Sequence, residues 1–414
     1  MSPGEETYTP IDTALVRTLS SVRVRREAEA VDPRLAYGRV SAKDVLAPRD
    51  VPDYPTAHWD GYAVISEDLA GAGEENPVRL RVRGAAGPGS RPAASIESGE
   101  AYQVATGAGL PSGADTVVAK ESVVAHEGEI VVKEPSPQGD HVYAVGEDLK
   151  KGETILAKGQ VIRAQDAGAL IGSGFLKVKV WKRPRVSVVA TGSELVELGT
   201  PKKGKVVNSH SPVFLRLCEA LGCTPVDLGI AKDDRGVLSK KLRQALARSD
   251  LVLTLGGTSA GERDYVTDAI EGLRPEVLVH GVKMDRGRVA GVAVVSGKPI
   301  VMMPGPIQGA MNAFLLLSVP LIEVLSGTEG RRSEILCTFR GEWQARRRYS
   351  DFRKVVYVRL ERGTEVTASP LLAETESMKI LTSADGCVVV PENVTRIGAG
   401  EKVAVRLVPG FSFA

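Results

Sequence analysis

Two segments of the chain place polar side chains directly beside glycine or proline turns. The first covers residues 52–64 and contains Asp60 before Gly61, and the second covers residues 106–118 and begins with Thr106 and Gly107. Glycine lets a backbone approach a ligand closely because it carries no Cβ, and proline fixes the direction of a turn. The pattern therefore predicts a site for an anionic ligand at these segments.

Further acidic residues occupy glycine-containing turns or the ends of predicted strands. Their carboxylates could hold a divalent metal ion, which takes oxygen ligands. An acid beside a glycine is also a common turn former that accepts bonds from local amides, so Asp148 could cap a turn and Asp233 with Asp234 could form a solvated loop. The candidates are Asp60, Asp148, Glu194, Asp233, Asp234 and Asp264.

Groups that could bind phosphate or oxyanion oxygens occur in the same regions. His58, His141 and His210 lack the i, i+4 spacing of a helical zinc pair, so the sequence does not favour a zinc site. A short basic run at 346–348 is interpreted as a solvated loop, with phosphate contact as the alternative. The candidate donors are Thr106, the backbone amides around Gly107 and Gly257, Thr258, Ser259, Lys283 and Arg288.

Between residues 184 and 325, apolar runs alternate with helical patterns. The runs 185–190, 251–255 and 299–303 predict buried strands, and helices are expected after Ser211, along Leu238, Leu242 and Leu246, and from about Gln308. This alternation predicts a parallel sheet covered on both faces. Ligands bind at the carboxyl ends of such strands, which here carry the turns 191–194, 256–259 and 304–306.

The remaining segments predict smaller units. Thr9 is expected to cap a helix that starts near Pro10, and the β-branched runs 78–82, 116–119 and 130–132 predict a β-rich insert. The runs 334–339, 355–360, 387–390 and 403–407 predict a mostly β C-terminal domain. A chain of 414 residues is long enough for two to four domains.

Composition narrows the class of protein. The net charge is +2, with 53 basic and 51 acidic residues, so the protein has no overall electrostatic field that would favour binding to nucleic acid or to a membrane surface. Four cysteines without paired spacing predict neither a disulfide framework nor a zinc site, and favour a reducing cytoplasm. The longest apolar run, 313–325, is interrupted by Ser318, Pro320 and Glu323, which argues against a membrane span.

The order of these motifs and the residues in them resemble the molybdopterin molybdenumtransferase family, the enzymes related to the E domain of gephyrin. The resemblance extends over nearly the whole chain. It implies an α/β multidomain fold with a doubly wound, molybdopterin-binding-like domain. The expected division is a segmented elongated domain at 1–50 and 139–178, a β-rich insert at 51–138, the α/β domain at 179–330 and a C-terminal β-barrel at 331–414.

The resemblance also implies an activity: magnesium-dependent insertion of molybdate or tungstate into adenylylated molybdopterin, with release of AMP. Family members act as homodimers whose site lies between the α/β domain of one subunit and the insert of the other, and the molybdopterin adenylyltransferase is a possible partner. By motif, the expected catalytic residues are Asp60, Thr106, Asp148, Glu194 and Asp264, and the metal ligands are Glu194, Asp233, Asp234 and Asp264. The expected substrate-binding residues are Gly107, Gly257, Thr258, Ser259, Lys283, Arg288, Pro304 and Gly305.

The chain departs from the family pattern in its ligand-facing loops. Residues 142–145 replace an arginine-rich run, 286–289 replace Pro-Gly-Lys-Pro and keep a cation at Arg288, and 304–307 replace Pro-Gly-Asn-Pro. Ser193 stands where an aspartate usually precedes Glu194, and Asp285 where a lysine is usual. An alternative is therefore a weakly active or inactive paralogue that binds molybdopterin or a protein partner as a scaffold. The retained acids favour the enzyme, because a carboxylate cluster weakens anion binding unless metal is present.

A third class of function, a nucleotide-dependent oxidoreductase, needs a Gly-x-Gly-x-x-Gly turn between a strand and a helix. The sequence contains no such turn in that context.

Overall fold

The computed structural model describes residues 8–199, 203–258, 264–328, 334–372 and 377–407. They form a unit made of two chain segments, an inserted sheet, an α/β unit and a closed barrel. The multidomain α/β fold predicted from the sequence, with a C-terminal barrel, is confirmed. The exact limits of the four domains stay predictions.

The first segment contains α1, β1 and β2, and the chain then enters and leaves the insert before it returns. Short antiparallel pairs β1–β12, β2–β11 and β3–β10 hold the two passages side by side. The bounds are α1 (Ile11–Leu19), β1 (Ala28–Val31), β2 (Val45–Leu46), β3 (Thr56–Ala57), β4 (Gly61–Val64), β5 (Val78–Ala86), β6 (Glu100–Val104), β7 (Thr116–Ala119), β8 (Val123–His126), β9 (Glu129–Val132), β10 (Val142–Tyr143), β11 (Thr154–Leu156), α2 (Ala164–Gly172) and β12 (Val178–Trp181).

Helix α1 packs on the α/β unit, where Ile11 and Ala14 join the main hydrophobic core. The prediction that Thr9 caps this helix is wrong, because Pro10 is the capping residue and no side chain caps the amides. Thr9 instead forms a β-bridge with Val282: its amide donates to the Gly281 carbonyl at 3.0 Å, and the Lys283 amide donates back at 2.8 Å. Thr9 therefore pairs with a segment distant in sequence and does not cap α1.

The insert is a sheet of order β7-β4-β6-β5-β9-β8. The predicted runs 78–82, 116–119 and 130–132 fall on β5, β7 and β9, so the β-rich interpretation is confirmed. Strand β5 extends to Ala86, four residues beyond the predicted run 78–82. Glycine suits position 84 of this strand because a Cβ on Gly84 would lie only 2.8 Å from the Tyr102 ring.

The α/β unit contains a sheet of order β16-β13-β17-β20-β19-β18, with its helices packed on both faces. The predicted strands and helices in this region are confirmed, except that α3 begins at His210 with Ser209 at its N-cap, so Ser211 lies inside the helix and not before it. The bounds are β13 (Arg185–Thr191), β14 (Leu195–Val196), β15 (Val206–Val207), α3 (His210–Ala220), β16 (Thr224–Ala231), α4 (Arg235–Arg248), β17 (Leu251–Leu255), α5 (Tyr265–Glu271), β18 (Val277–His280), β19 (Gly291–Val295), β20 (Lys298–Met303), α6 (Ile307–Ala313) and α7 (Val319–Ser326).

The predicted parallel pairing is confirmed for the three predicted strands, but the sheet also has an antiparallel edge. Strands β16, β13, β17 and β20 are parallel, but β19 pairs antiparallel with both β20 and β18. Ser296 and Gly297 both have positive φ, at 53° and 74°, which is the backbone of a tight two-residue hairpin turn. This turn reverses the chain where a helical crossover would be needed for a parallel strand.

The C-terminal unit is a closed barrel of order β21-β24-β23-β25-β27. It packs on the α/β unit, since Tyr357, Leu381 and Cys387 belong to the same core cluster as β13 and β17. The bounds are β21 (Glu334–Phe339), β22 (Trp343–Gln344), β23 (Lys354–Arg362), β24 (Val366–Pro370), α8 (Met378–Ser383), β25 (Gly386–Val390), β26 (Arg396–Ile397) and β27 (Lys402–Leu407).

One helical stretch in the described part of the chain, Ile307–Ser326, is long and apolar enough to cross a membrane by length and composition. Of its most apolar window, 78% is buried inside the protein. It comprises α6, a short π-helical segment (Phe314–Ser318) and α7, and it forms part of the main core.

Candidate active site

The carboxyl ends of the parallel strands bring several predicted turns together. Gly256 and Gly257 follow β17 with φ of 82° and 68°, which non-glycine residues rarely adopt. A Cβ on Gly256 would lie 2.8 Å from the Thr191 carbonyl oxygen after β13 and 3.9 Å from the Gly305 Cα after β20. The three turns thus meet at one edge, as the sequence predicted, because only glycine permits this approach.

Glu194 and Asp233 lie next to each other through Ser193. The Ser193 amide donates to the Asp233 carboxylate at 2.8 Å, and the Asp233 amide donates to the Ser193 hydroxyl at 3.1 Å. The Glu194 carboxylate folds over Gly192, where a Cβ would come within 2.6 Å of it. Asp234 is directed elsewhere: its carboxylate caps α4 by accepting from the Val237 amide at 2.8 Å. Asp233 is therefore the acid of this pair that faces the strand ends.

Asp264 forms the other acidic part of the edge. Its carboxylate caps α5 through the Thr267 amide at 2.9 Å and lies 3.0 Å from His280 Nε2. Burial opposes ionisation of Asp264, but the bonds from His280 and from the Thr267 amide outweigh it, so its pKa is lowered. The carboxylate is consequently charged at neutral pH.

Thr258 completes this cluster. Its hydroxyl donates to the Val289 carbonyl at 2.6 Å and lies 3.2 Å from His280 Nε2. Because the only hydroxyl proton of Thr258 is used at Val289, His280 must donate from Nε2, which assigns its proton. Sequence reasoning missed His280, although its position at the end of β18 was a usable signal. Ser259, a predicted substrate-binding residue, lies outside the described residues.

The turn after β20 contacts another histidine that was not assigned a role. Pro304 is buried and Gly305 is exposed, and the Gly305 backbone hydrogen-bonds His210, the first residue of α3. Burial lowers the pKa of His210, although this bond acts in the opposite direction. His210 was considered only as a zinc ligand from the sequence. Its neighbours place it at the same edge as Gly256.

The two predicted cations have different surroundings. Arg288 is exposed, and its guanidinium lies 5.7 Å from the centre of the Tyr349 ring. Arg346 and Arg348 contact the same ring at 5.1 and 5.6 Å, so the basic run is gathered beside Arg288. Lys283 instead donates to the Asp351 carboxylate of the barrel at 2.8 Å. Arg288 keeps its charge uncompensated by a carboxylate among the described residues, whereas the charge of Lys283 is balanced.

Asp60 and Thr106 form a second, separate cluster on the insert. The Asp60 carboxylate accepts from the Thr106 amide at 2.8 Å and from the Thr106 hydroxyl at 2.9 Å, and Lys120 Nζ lies 3.6 Å away. The amide bond, the hydroxyl bond and Lys120 together lower the pKa of Asp60. The Gly107 amide donates to the Ala57 carbonyl at 2.8 Å, so that amide is already engaged.

Aromatic residues lie beside this cluster, whereas the Asp148 backbone bonds to Val51. Trp59 stacks on His141 with centroids 4.4 Å apart, and His58 contacts Tyr143 at the same distance. Asp148 is exposed, and its amide donates to the Val51 carbonyl at 3.0 Å. The stacked Trp59 is 48% exposed, which leaves a planar apolar surface beside Asp60.

The described residues of one chain show no bond between the two clusters. No hydrogen bond or ion pair between described residues links Asp60, Thr106 or Lys120 to the α/β unit. The described ranges also contain no group of three or more His, Cys, Asp or Glu side chains arranged to hold a metal ion. Glu194 and Asp233 are nevertheless oxygen donors of the kind that magnesium uses in small numbers, together with substrate oxygens.

Comparison with known proteins matches both halves of this arrangement. Residues 9–174 match the family described as the MoeA N-terminal region (domain I and II), and residues 187–324 match a probable molybdopterin binding domain. A molybdopterin molybdenumtransferase from Staphylococcus aureus is 31% identical over 89% of this chain and 83% of its own length. The same enzyme from Staphylococcus epidermidis is 30% identical over 81% of this chain and 80% of its own length.

A solved structure of a molybdopterin biosynthesis MoeA protein from Pyrococcus horikoshii is 32% identical, with a TM-score of 0.82 over 97% of this chain and 99% of its own. The fold is thus that of a multidomain enzyme of molybdenum cofactor biosynthesis. The chain belongs to the molybdopterin molybdenumtransferase family.

Proposed function

We propose that this protein inserts molybdate or tungstate into adenylylated molybdopterin, with magnesium and release of AMP. The observation that supports the proposal is that two groups lie along the same carboxyl edge of the sheet: Glu194 with Asp233 after β13 and β16, and the Asp264–His280–Thr258 cluster, which Arg288 adjoins through Val289. Oxyanions and phosphates need cations and hydrogen-bond donors, and a divalent metal needs carboxylates. This edge offers both.

The residues of the chain then have distinct tasks. The ionised Asp264 fixes His280, and His280 in turn fixes Thr258 at the turn where a phosphate or oxyanion would lie. Arg288 supplies a planar cation for anion recognition, held against Tyr349. Glu194 and Asp233 are the proposed magnesium ligands, and a bound magnesium ion would neutralise anionic oxygens of the substrates. Asp234 is left to cap its helix.

We propose further that the working site forms between two subunits. Among the described residues, no hydrogen bond or ion pair joins the Asp60–Thr106 cluster to the α/β edge of the same chain, so a dimer that places the insert of one subunit against the edge of the other would complete the site. The exposed face of Trp59 would then offer a stacking surface to the planar pterin or adenine ring. A cytoplasmic location fits the four buried cysteines, which are free thiols.

The first experiment measures AMP release from adenylylated molybdopterin with magnesium and molybdate. Asp264→Asn removes the charge but keeps a group that can cap α5, and we expect it to abolish release. Asp268→Asn is the matched control, because Asp268 is exposed in the first turn of the same helix. Unchanged turnover by Asp264→Asn would contradict the proposed role.

The second experiment tests the shared site by mixing two inactive variants. Asp60→Asn and Asp264→Asn subunits should each be inactive alone, and a mixture allowed to exchange subunits should partly recover activity. Recovery is expected because a mixed dimer has one intact pair of clusters. Failure to recover despite verified exchange would place both clusters in the same subunit's site.

One observation favours the alternative of binding without turnover. Lys283 is paired with Asp351, so a cation that could stabilise transferred charge is already balanced. Calorimetry with adenylylated molybdopterin, followed by AMP analysis of the same sample, separates the two functions. Ligand capture without AMP, in the presence of magnesium and molybdate, would support the binding protein.

A further inference from the structure

A basic cleft lies at the opposite end of the α/β sheet from the candidate active site. It is bordered by the starts of β13 and β20, by the link between β12 and β13, and by the segment between α1 and β1. Its volume is about 540 Å³. The carboxyl ends of β13, β17 and β20 carry the candidate active site, so this cleft is a separate feature.

The charge of the cleft is far above that of the protein. Its lining contains seven cationic and two acidic side chains, a formal charge of +5, whereas the whole chain carries +2. Such a concentration of one sign is unfavourable for folding unless the side chains are solvated or meet an anion. Because the whole chain carries almost no net charge, this local concentration of positive charge points to a function for the cleft.

Three of the seven cations form hydrogen bonds or an ion pair within the protein. The Lys298 ammonium donates to the carbonyls of Leu246 and Ser249 at the end of α4, at 2.6 and 2.9 Å. Arg26 donates to the Val324 carbonyl near the end of α7, and Lys182 pairs with Glu27 at 2.7 Å. These three cations stabilise helix ends or a surface pair and need no ligand.

The other four cations have no such partner among the described residues. Among the described residues, the guanidinium groups of Arg23, Arg25, Arg183 and Arg185 make no hydrogen bond and no ion pair; the Asp250 carboxylate in the same lining accepts from the Arg185 backbone amide at 2.8 Å. Each guanidinium is a planar group with several donors, suited to the paired oxygens of phosphate.

The cleft is also built to hold one of these arginines in place. The Arg23 amide donates to the Gly297 carbonyl at 2.8 Å, and the Arg23 stem covers Gly297 so closely that a Cβ there would lie 2.6 Å from Arg23 Cγ. Gly297 belongs to the tight turn between β19 and β20, so the turn and the arginine fix each other. A preorganised cation loses less entropy when it binds an anion.

We propose that this cleft binds a small ligand carrying two or more linked phosphates, such as a pyrophosphate or a nucleoside triphosphate. A volume of about 540 Å³ lies in the range of small-molecule sites, whereas an extended acidic peptide needs a longer groove. The four free guanidinium groups match a multiply charged anion better than a single phosphate. The site joins the two-segment unit to the α/β unit, so its occupation stabilises that junction.

The test is calorimetric titration of the full-length protein with inorganic pyrophosphate and with ATP. It uses Arg288→Gln protein as the background, so that binding at the candidate active site is suppressed. We expect saturable binding of one ligand per chain, weakened at high salt, and a higher melting temperature in the presence of ligand. Arg25→Gln/Arg183→Gln should weaken binding by about tenfold or more, because two charge-assisted contacts are lost.

Arg359→Gln is the control, since Arg359 is an exposed arginine of the barrel outside the cleft. It should bind pyrophosphate as the background protein does. Absence of pyrophosphate and ATP binding, or equal weakening by the control, would overturn the proposal. Binding of a glutamate-rich peptide that requires Arg25 and Arg183, without pyrophosphate binding, would overturn it in favour of an acidic protein partner.

Discussion

Replacing Gly256 by alanine should destabilise the protein and disturb the candidate active site. Gly256 has φ of 82°, where an alanine is strained by about 1–2 kcal/mol. The new Cβ would also lie 2.8 Å from the Thr191 backbone oxygen, and such overpacking adds about 1–3 kcal/mol. The total is about 2–5 kcal/mol, because the carbonyl cannot rotate away without breaking the end of β13.

Gly168→Ala is the comparison variant, because its expected effect on the free energy of unfolding has the opposite sign. Gly168 lies exposed within α2, and a Cβ added to it would meet no other atom within 4 Å. Alanine there should stabilise the helix by about 0.5–1 kcal/mol, since glycine is the poorer helix former. The two variants have the same chemical change, so their difference isolates the backbone conformation and the neighbouring atoms.

The assay is denaturant unfolding followed by far-ultraviolet circular dichroism, with AMP release measured on the folded variants. Gly256→Ala should shift the transition of the α/β unit to lower denaturant and reduce AMP release. Gly168→Ala should leave AMP release unchanged. If Gly256→Ala unfolds within about 0.5 kcal/mol of the unsubstituted protein, the steric reasoning is wrong.

Other regions of the fold give further expectations. Lys354→Met should destabilise the barrel by about 3 kcal/mol or more in thermal melts, because the ammonium lies within hydrogen-bond distance of four backbone carbonyls that would lose their donor, and the residue is 2% exposed; a near-neutral change would contradict this. His280→Ala should raise the pKa of Asp264, measured by carboxyl carbon NMR. Because the pKa of Asp264 is lower in the folded protein, this group stabilises the fold at pH values above its unfolded-state pKa, and this stabilisation is lost as the pH falls through its folded-state pKa. The His280→Ala variant should therefore be less stable than the unsubstituted protein near neutral pH. Identical profiles of stability against pH for the two proteins would refute this. Native Cys223 and Cys387 should resist iodoacetamide at pH 8, because burial raises each thiol pKa to about 12; modification should follow unfolding, and rapid labelling of the native protein would disprove it.

Much of the α/β unit could be predicted because its strands are continuous apolar runs. The run 251–255 coincides with β17, and the turns after β13, β17 and β20 meet at one edge as expected from parallel pairing. The antiparallel edge could not be predicted in the same way. Ser296–Gly297 has the composition of an ordinary loop, and only its backbone angles show a hairpin.

Side-chain partners in the candidate site were less accessible from sequence. The alternative that these acids accept bonds from local amides describes Asp264, which caps α5 through the Thr267 amide. It does not describe Asp60, because its amide donor, Thr106, lies 46 residues away in the chain. His280 approaches Asp264 because β18 is antiparallel to β19 and therefore runs in the same direction as β17 and β20, so its carboxyl end reaches the same edge. The apolar pattern did not reveal this pairing. The arrangement of Arg288 and Arg346 around Tyr349 depends on contact between two domains.

The bridge between Thr9 and Val282 has a consequence for synthesis on the ribosome. Helix α1 emerges first, but the segment after β18 that pairs with Thr9, the residue just before the Pro10 cap, is made only after most of the chain. At roughly 5–20 residues per second, the apolar side of α1 waits roughly 15–55 s before its own place in the core exists. During translation that helix is a natural client for a chaperone that shields nascent apolar segments.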